Sequence, residues 1–420
     1  MDRDLVRNTL SLSLHIPVPP ARPGAAPDFR HIAIPNAGHL RRPNIATDPA
    51  DIRDLAFDLI RVLDFEGHAV GAWNPRLPPE RLREALGWMI LDRAFEERMV
   101  QAQRQGKTSF FMRSLGEEAI GIAHALALSK DDMCFTSYRQ QGLLIARGCP
   151  IADMMNQIYN NAADRQRGVQ MPMHYSFPEY GYFAMSGNVA TQVPQAVGWA
   201  MASAYKGDSR IAVGFIGDGA TAEGDFHAAL LFASVYRAPV ILSVSNNQWA
   251  ISTFAGFAGG ERTSFAARGL GVGLPSLRID GNDFLAAYAA VEWAAERARA
   301  NLGATLIEFV TYRGHAHSTS DDPSRYRPTE EYAAWPLGDP IARLKQHLIV
   351  LGEWDDERHA ACEQEAKDRV RALQREAEAI GTLTTGDKPS ARAIFDHVFE
   401  DADWRIPPPA PGNGHLTWRR

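Results

Sequence analysis

The sequence has 420 residues, of which 45% are hydrophobic and 22% are charged, a balance that is ordinary for a folded globular protein. Its formal net charge is −6 at pH 7 and no Lys/Arg-rich run occurs, which argues against a nucleic-acid partner. No apolar run approaches the ~20 residues needed to cross a membrane, so no membrane partner is expected. The three cysteines are scattered and lack metal-ligand spacing, which suits a reducing compartment.

The composition divides the chain into three parts. Residues 1–75 are rich in proline and poor in periodicity, which predicts an extended arm that is either mobile or wrapped around the main domain or a partner. The arm shows neither a signal-peptide core nor a mitochondrial presequence, so we expect a cytoplasmic, bacterial protein. Residues 76–330 form the predicted α/β domain. Residues 331–420 form a helical extension with a proline-rich tail, in which the charged helix Glu353–Ile380 has either a solvated face or an interchain contact.

The α/β domain opens with a helical pattern from Pro78 to Gln105. A second apolar helix follows Glu117 and Glu118, to which we assign no catalytic role. The next strand, residues 133–136, delivers Tyr138 and Arg139 at its end. A guanidinium at the end of a strand is well placed to bind phosphate with paired donors, although a Tyr-Arg pair is more often plain surface structure.

Residues 210–252 form the most informative stretch. A short apolar run ends at Gly217-Asp218-Gly219, a helical pattern follows, and a second apolar run ends at Asn246-Asn247. Strand, helix and strand in this order predict one right-handed unit with parallel strands. Asp218 and Asn247 then lie at the same carboxyl edge of the sheet, where ligands bind in open α/β folds.

A carboxylate and an amide oxygen at one sheet edge suit a hard divalent cation such as Mg²⁺, which keeps phosphate oxygens and water as its other ligands. The flanking Gly217 and Gly219 let a diphosphate approach the backbone. The alternative is an ordinary turn, with Asp218 as a helix cap and Asn247 as a turn residue.

Two later strands complete the pattern. Residues 276–279 and 305–312 alternate with helices, which indicates an α/β fold with a doubly wound, mostly parallel sheet. The last strand is followed by the loop RGHAHSTSDD, residues 313–322, which places two histidines at the carboxyl edge. A His-X-His metal site is one interpretation, but no third ligand is evident. The other is a histidine that stabilises an oxyanion or transfers a proton near neutral pH.

Together these motifs resemble a known family. Gly217-Asp218-Gly219, followed by Asn247 after 29 positions, resembles the thiamine-diphosphate motif, and the closer match is to the alpha subunits of the first component of 2-oxoacid dehydrogenase complexes. The serine-rich loop resembles the branched-chain members most. The resemblance implies Mg²⁺ at Asp218, Asn247 and the main-chain carbonyl of Trp249. It also implies His317 as the catalytic residue and further coenzyme contacts at Tyr138, Arg139, Val189, Gly217, Gly219, Ala220, Arg313 and His317.

The resemblance also implies an activity and partners. The family oxidatively decarboxylates 2-oxoacids such as 2-oxoisovalerate and passes the acyl group to a lipoyl-bearing acyltransferase. The chain shows only one cofactor-type domain, so the other half of the site is expected from a beta subunit in a heterotetramer of two alpha and two beta chains. Pyruvate or acetoin dehydrogenase alpha subunits, or a non-catalytic scaffold subunit, are the alternatives.

Three departures or options stay open within the resemblance. Ser245 stands where some branched-chain relatives have an arginine that reaches the phosphates. Gly187 and Asn188 replace a Ser-Pro pair, which leaves a monovalent-cation site near Ser186 and Thr191 undecided. Ser318 matches a serine that is phosphorylated in mitochondrial relatives, but nothing in the sequence indicates a kinase.

Overall fold

Six parallel strands form the central sheet of the protein, for which a computed structural model describes residues 13–390. In chain order they are β1 (Leu59–Ile60), β2 (Met133–Phe135), β3 (Ala212–Gly217), β4 (Val240–Asn246), β7 (Ser276–Asp280) and β8 (Thr305–Val310). Their order across the sheet is β1-β7-β8-β4-β3-β2. The predicted parallel α/β fold is confirmed.

Burial on both faces explains why the strands read as continuous apolar runs. Along β3, Val213 and Phe215 enter one hydrophobic cluster, while Ala212 and Ile216 enter a second cluster on the opposite face. Side chains alternate across a strand, so each apolar run serves two cores at once. Each face is covered by helices, as a parallel sheet requires.

The helices fall into two groups. On one face lie α5 (Gln192–Tyr205) and α6 (Gly224–Val235), whose apolar residues share the cluster of Ala212. The other face carries α1 (Pro79–Arg104), α2 (Glu118–Ala127), α3 (Gln141–Ala146), α4 (Ile151–Tyr159) and α8 (Phe284–Arg299). The predicted order of strand, helix and parallel strand around residues 210–252 is confirmed, because β3 and β4 pair in parallel with α6 between them, and the handedness of the unit stays a prediction.

Short elements complete the described chain. The hairpin strands are β5 (Trp249–Ala250), β6 (Thr253–Phe254), β9 (Gly381–Thr382) and β10 (Thr385–Gly386). The remaining helices are α7 (Ala267–Leu270), α9 (Pro340–Val350) and α10 (Asp356–Ile380), with 3-10 turns at Pro49–Ala56, Pro178–Tyr180, Gly219–Ala222, Ala255–Ala258 and Pro323–Arg325. No helix within residues 13–390 is both long and apolar enough to cross a membrane.

The described part of the arm wraps around the main domain. Its strand β1 pairs with β7 at the edge of the sheet, and Trp73 is buried against Trp293 with ring centroids 6.3 Å apart. The carboxylate of Asp283 accepts hydrogen bonds from the backbone N–H groups of Val62 (2.8 Å) and Leu63 (2.6 Å). The arm therefore contributes an edge strand and core residues, which its proline-rich composition did not predict.

The C-terminal extension also packs on the main domain. Val370 and Ala377 of α10 are buried in the core cluster that includes α1, so this charged helix also makes an intrachain contact. The proline-rich tail from Pro407 lies outside the described residues. The three-part division of the chain stays a prediction.

Candidate active site

A cavity of about 530 Å³ opens at the carboxyl edge of β2, β3 and β4. The chain supplies its walls where these strands end, because each strand gives way to a loop at that edge. The cavity brings together ten of the eleven residues predicted for the site: Tyr138, Arg139, Val189, Gly217, Asp218, Gly219, Ala220, Asn247, Trp249 and His317. Arg313 does not line it.

Asp218 is buried at the end of β3 with half of its carboxylate unused. Its Oδ1 accepts a hydrogen bond from the backbone N–H of Gly219 at 2.7 Å, as a cap of the following 3-10 turn. Its Oδ2 is buried without a hydrogen-bond partner among the described residues. Burial, reinforced by the charge of Glu117, raises the pKa of Asp218 to about 7. A buried carboxylate oxygen of this kind fits a cation ligand.

Asn247 follows β4 and faces the same cavity. Its Nδ2 donates to Glu117 Oε1 at 2.7 Å, which fixes the orientation of the amide, and its Oδ1 accepts a long hydrogen bond of 3.3 Å from Trp249 N. The amide oxygen is therefore the group that Asn247 can offer to a cation. With Asp218 Oδ2 and the Trp249 carbonyl, which accepts from Arg313 through one of its two lone pairs, it forms an all-oxygen set, the kind that Mg²⁺ prefers. The residues present fit Mg²⁺.

Glu117 is the site residue that the sequence did not reveal. It is buried, lines the cavity, and its Oε1 lies 3.7 Å from Arg139 Nε. Burial raises the pKa of its carboxyl group. The adjacent Glu118 makes an ion pair with Arg93 and does not line the cavity. In the sequence, Glu117 and Glu118 are two adjacent acids before an apolar helix, and nothing in that pattern shows that only one of them lines the cavity.

Arg313 lies behind the cavity wall. Its guanidinium is fully buried and donates to the carbonyls of Trp249 (2.9 Å) and Ile251 (2.8 Å) and to the Tyr326 hydroxyl (2.7 Å). Arg313 thus holds the turn that carries Trp249, and the phosphate contact expected of it stays a prediction.

His317 comes to the cavity from the loop after β8. Arg139 Nη2 donates to its carbonyl at 3.0 Å and lies 3.2 Å from its Nδ1. Because a guanidinium can only donate, Nδ1 acts as the acceptor and the ring proton sits on Nε2. Burial and the charges of Arg139 and Arg313 lower the pKa of His317 to about 3, so the imidazole is neutral at physiological pH.

The other histidine of the loop faces elsewhere. His315 lines a separate cavity of about 310 Å³ with Ser318, so the two rings lie on opposite sides of the loop. No cluster of three or more His, Cys, Asp or Glu side chains within residues 13–390 could hold a metal ion. The His-X-His metal site is not supported by this geometry.

Two further cavity residues bear on the open options. Ser245 is buried at the end of β4, and its hydroxyl has no partner among the described residues. The Thr191 hydroxyl donates to the carbonyl of Asn188 at 3.0 Å, and Asn188 N donates to the Ser186 hydroxyl at 3.1 Å. These contacts order the short turn from Ser186 to Thr191, and the cation site stays a prediction.

Fold and cavity together define an α/β protein with a ligand site at the carboxyl edge of a parallel sheet. The family model described as "Dehydrogenase E1 component" matches residues 87–385, and a second, "2-oxoisovalerate dehydrogenase E1 alpha subunit N terminal", matches residues 10–50. The chain belongs to the dehydrogenase E1 component family, whose enzymes depend on thiamine diphosphate.

Named relatives cover most of the chain. It is 58% identical over 390 residues to the "2-oxoisovalerate dehydrogenase subunit alpha" of Pseudomonas aeruginosa, covering 93% of this chain and 95% of that one. It is 38% identical over 347 residues to the mitochondrial alpha subunit of the same name from Bos taurus, covering 82% and 74%. With subunit alpha 1 of Arabidopsis thaliana the identity is 38% over 346 residues, covering 81% and 71%.

Proposed function

We propose that this chain is the alpha subunit of a 2-oxoacid dehydrogenase that oxidatively decarboxylates branched-chain 2-oxoacids such as 2-oxoisovalerate. The observation that carries the proposal is the 58% identity over 93% of the chain to a protein of that name. The match at residues 10–50, outside the shared E1 domain, favours branched-chain substrates over pyruvate or acetoin.

The cavity residues divide into two binding groups under this proposal. Asp218, Asn247 and the Trp249 carbonyl would hold Mg²⁺, and Tyr138 and Arg139 would hold the diphosphate of the coenzyme. The backbone at Gly217, Gly219 and Ala220 allows close approach, and a Cβ at Gly219 would lie 2.3 Å from Ala250 Cβ. Val189, with 52% of its surface exposed, would contact the coenzyme ring through its main chain. Thiamine diphosphate, when bound, supplies the nucleophile and the electron sink for decarboxylation.

His317 supplies the hydrogen bond at the reactive end. With Nδ1 occupied by Arg139, its Nε2–H is the group that can donate to a developing oxyanion or move a proton. A neutral imidazole suits this role, because it can donate a hydrogen bond without placing a positive charge in a buried site. Arg139 positions the ring through two contacts and also neutralises Glu117.

The partners are part of the same proposal. The other half of the coenzyme site would come from a beta subunit in a heterotetramer of two alpha and two beta chains, and the acyl group would pass to a lipoyl-bearing acyltransferase. The three cysteines are unpaired, which supports a reducing, cytoplasmic location.

Reconstitution tests the proposal directly. The chain is purified alone and together with its beta subunit, and turnover is measured on 2-oxoisovalerate, pyruvate and acetoin with thiamine diphosphate and Mg²⁺. We expect turnover only in the assembled enzyme, with 2-oxoisovalerate preferred by kcat/KM. Preference for pyruvate or acetoin would reassign the substrate.

Calorimetry addresses the scaffold alternative. Thiamine diphosphate is titrated into the assembled protein with Mg²⁺ and again with a chelator. We expect binding that requires Mg²⁺, because a cation between the Asp218 carboxylate and the diphosphate would offset the repulsion of their like charges. If no binding is detected under either condition, the chain is a non-catalytic subunit.

A further inference from the structure

A short irregular segment that follows helix α1 in the chain packs against the active-site loop. This docking segment, residues 111–115, belongs to no helix or strand. The active-site loop, residues 313–322, rests on it through three hydrogen bonds: Thr319 N to Phe111 O (2.9 Å), Phe111 N to Thr319 Oγ1 (3.1 Å) and Gly314 N to Leu115 O (2.8 Å). The position of the loop therefore depends on the position of the segment.

The docking segment also reaches the cavity through Arg139. Nη1 of Arg139 donates to the carbonyl of Arg113, while Nη2 contacts the carbonyl and Nδ1 of His317. One guanidinium thus joins the segment to the ring that would act in catalysis. A shift of the segment would move both the loop and this arginine.

Buried side chains hold the segment from its other side. Ser114 N donates to Glu96 Oε1 at 2.7 Å, and Gln141 Nε2 donates to the carbonyl of Met112 at 3.0 Å. Gln141 Nε2 also donates to Glu96 Oε1 at 2.5 Å, and both side chains are fully buried. Because the segment has no strand ladder, these side chains take the place of backbone pairing.

Glu96 acts here chiefly as a hydrogen-bond acceptor. Its closest cation is Arg113 Nε at 3.8 Å, beyond hydrogen-bond distance. Burial raises the pKa of its carboxyl group. An amide of the same shape would therefore keep the acceptor that Ser114 needs, whereas an apolar side chain would leave buried N–H groups without a partner.

We propose that Glu96 and Gln141 are positioning residues for the decarboxylation, which they support by fixing the docking segment that seats the His317 loop and Arg139. They touch neither the cavity nor the reacting groups. The inference rests on the proposed function for its kinetic part, but the order of the loop can be measured without turnover.

The test uses the enzyme assembled with its beta subunit. The variants are Glu96→Leu, Glu96→Gln and Gln141→Met, the last serving if Glu96→Leu does not fold. Asp132→Leu is the control for loss of a buried carboxylate, because Asp132 accepts from Ile211 N and pairs with Arg299 at the amino edge of the strands, away from the cavity. Trypsin cleavage at Arg325, whose side chain is 84% exposed just beyond the loop, reports the order of the loop.

For Glu96→Leu and Gln141→Met we expect cleavage at Arg325 to accelerate about fivefold or more, and kcat to fall by about 10- to 100-fold, as for outer partners of catalytic groups. KM for the 2-oxoacid should stay within about threefold. Glu96→Gln should restore both readouts to within about twofold of wild type.

Two outcomes would overturn the inference. Equal changes in cleavage and kcat for Asp132→Leu and Glu96→Leu would make the effect general destabilisation. Alternatively, Glu96→Gln could behave like Glu96→Leu, which would make the acceptor role wrong. A wild-type enzyme that turns over no 2-oxoacid would refute the proposed function instead, and the cleavage comparison would still decide the positioning role.

Discussion

At the scale of single residues, the site is marked by polar groups that the fold buries without satisfying. Asp218 Oδ2 and the Ser245 hydroxyl are buried at the ends of adjacent strands, and neither has a partner within residues 13–390. A buried unpaired carboxylate destabilises the folded state, which the raised pKa of Asp218 expresses. A cost of this kind is expected where binding of a cation later offsets it.

The variant Asp218→Asn separates the effect of the buried carboxylate on folding stability from its effect on cation binding. Because it removes the buried charge, we expect the midpoint of thermal unfolding of the free chain to stay the same or rise. Loss of a metal-facing carboxylate should weaken Mg²⁺-dependent coenzyme binding by at least ~100-fold. Differential scanning calorimetry and titration calorimetry measure the two quantities. Asp131→Asn, on the exposed surface, is the control and should change neither; unchanged coenzyme affinity in Asp218→Asn would contradict the metal assignment.

His317→Gln probes the catalytic end of the cavity. We expect kcat of the assembled enzyme to fall by ~10²- to 10⁴-fold, the usual range for a lost acid–base group, with coenzyme affinity within a few-fold. His315→Gln, in the same loop but lining the other cavity, is the matched control and should keep activity within about threefold. Steady-state kinetics measures kcat for the two variants. Equal losses of kcat would show that the effect comes from disturbing the loop and not from removing the His317 ring.

The sequence could predict these residues only where a side chain follows a recognisable strand. Asp218, Asn247 and Arg139 each come directly after an apolar run, so their shared edge follows from the fold. Glu117 enters the site from the start of a helix, and Arg313 turns away although it also follows a strand. Both depend on tertiary contacts that leave no mark on local composition.

At the scale of elements, strongly periodic or apolar segments were predicted closely, and the weakly patterned ones were not. The strand predicted at residues 276–279 and the helix predicted from Pro78 to Gln105 agree within a few residues with β7 and α1. The strand β1 has two residues, too short for any alternation to be read, and it forms only because β7 offers a free edge. Its existence is a property of the sheet rather than of its own sequence.

The apolar helix α2 carries one buried histidine beneath the sheet. His124 lies between the rings of Phe215 and Phe309, with centroids 4.5 and 5.3 Å away, and its Nε2 is 2.9 Å from Ser243 Oγ. Its other nitrogen is 2.8 Å from the carbonyl of Ile120. Burial lowers the pKa of His124 to about 4, from 6.5 when unfolded.

This depressed pKa predicts an acid-sensitive stability. Below pH 6.5 His124 is protonated in the unfolded state but stays neutral in the folded state. The contribution of neutral His124 to the free energy of unfolding is therefore complete above pH 6.5 and is lost as the pH falls toward 4. The shift corresponds to ~3 kcal/mol at most. We expect the unfolding midpoint of His124→Gln to be lower than wild type at pH 7 but flatter between pH 7 and 4.5. Exposed His39→Gln should keep the wild-type slope; a slope unchanged in His124→Gln would contradict the assignment.

At the scale of the whole molecule, the described arm and the C-terminal extension converge on one group of buried charges. Asp280, at the end of β7, pairs with Arg61 of the arm at 3.2 Å and with Arg343 of α9 at 2.7 Å. The same carboxyl edge therefore joins three stretches that are distant in sequence. Composition alone predicted three separate parts, because the sequence of a charged or proline-rich segment seldom shows that it has a buried partner.

The role of the arm can be tested with one tryptophan. Trp73 is almost fully buried, packs on Trp293 and donates from Nε1 to the carbonyl of Arg41 at 2.9 Å. If the arm is part of the core, Trp73→Ala should lower the free energy of unfolding by ~3–5 kcal/mol, as for other buried aromatic truncations. Phe57→Ala, at a half-exposed position of the same arm, should cost less than ~1 kcal/mol. Chemical denaturation followed by circular dichroism compares the two, and equal small losses would show that the arm is a detachable segment.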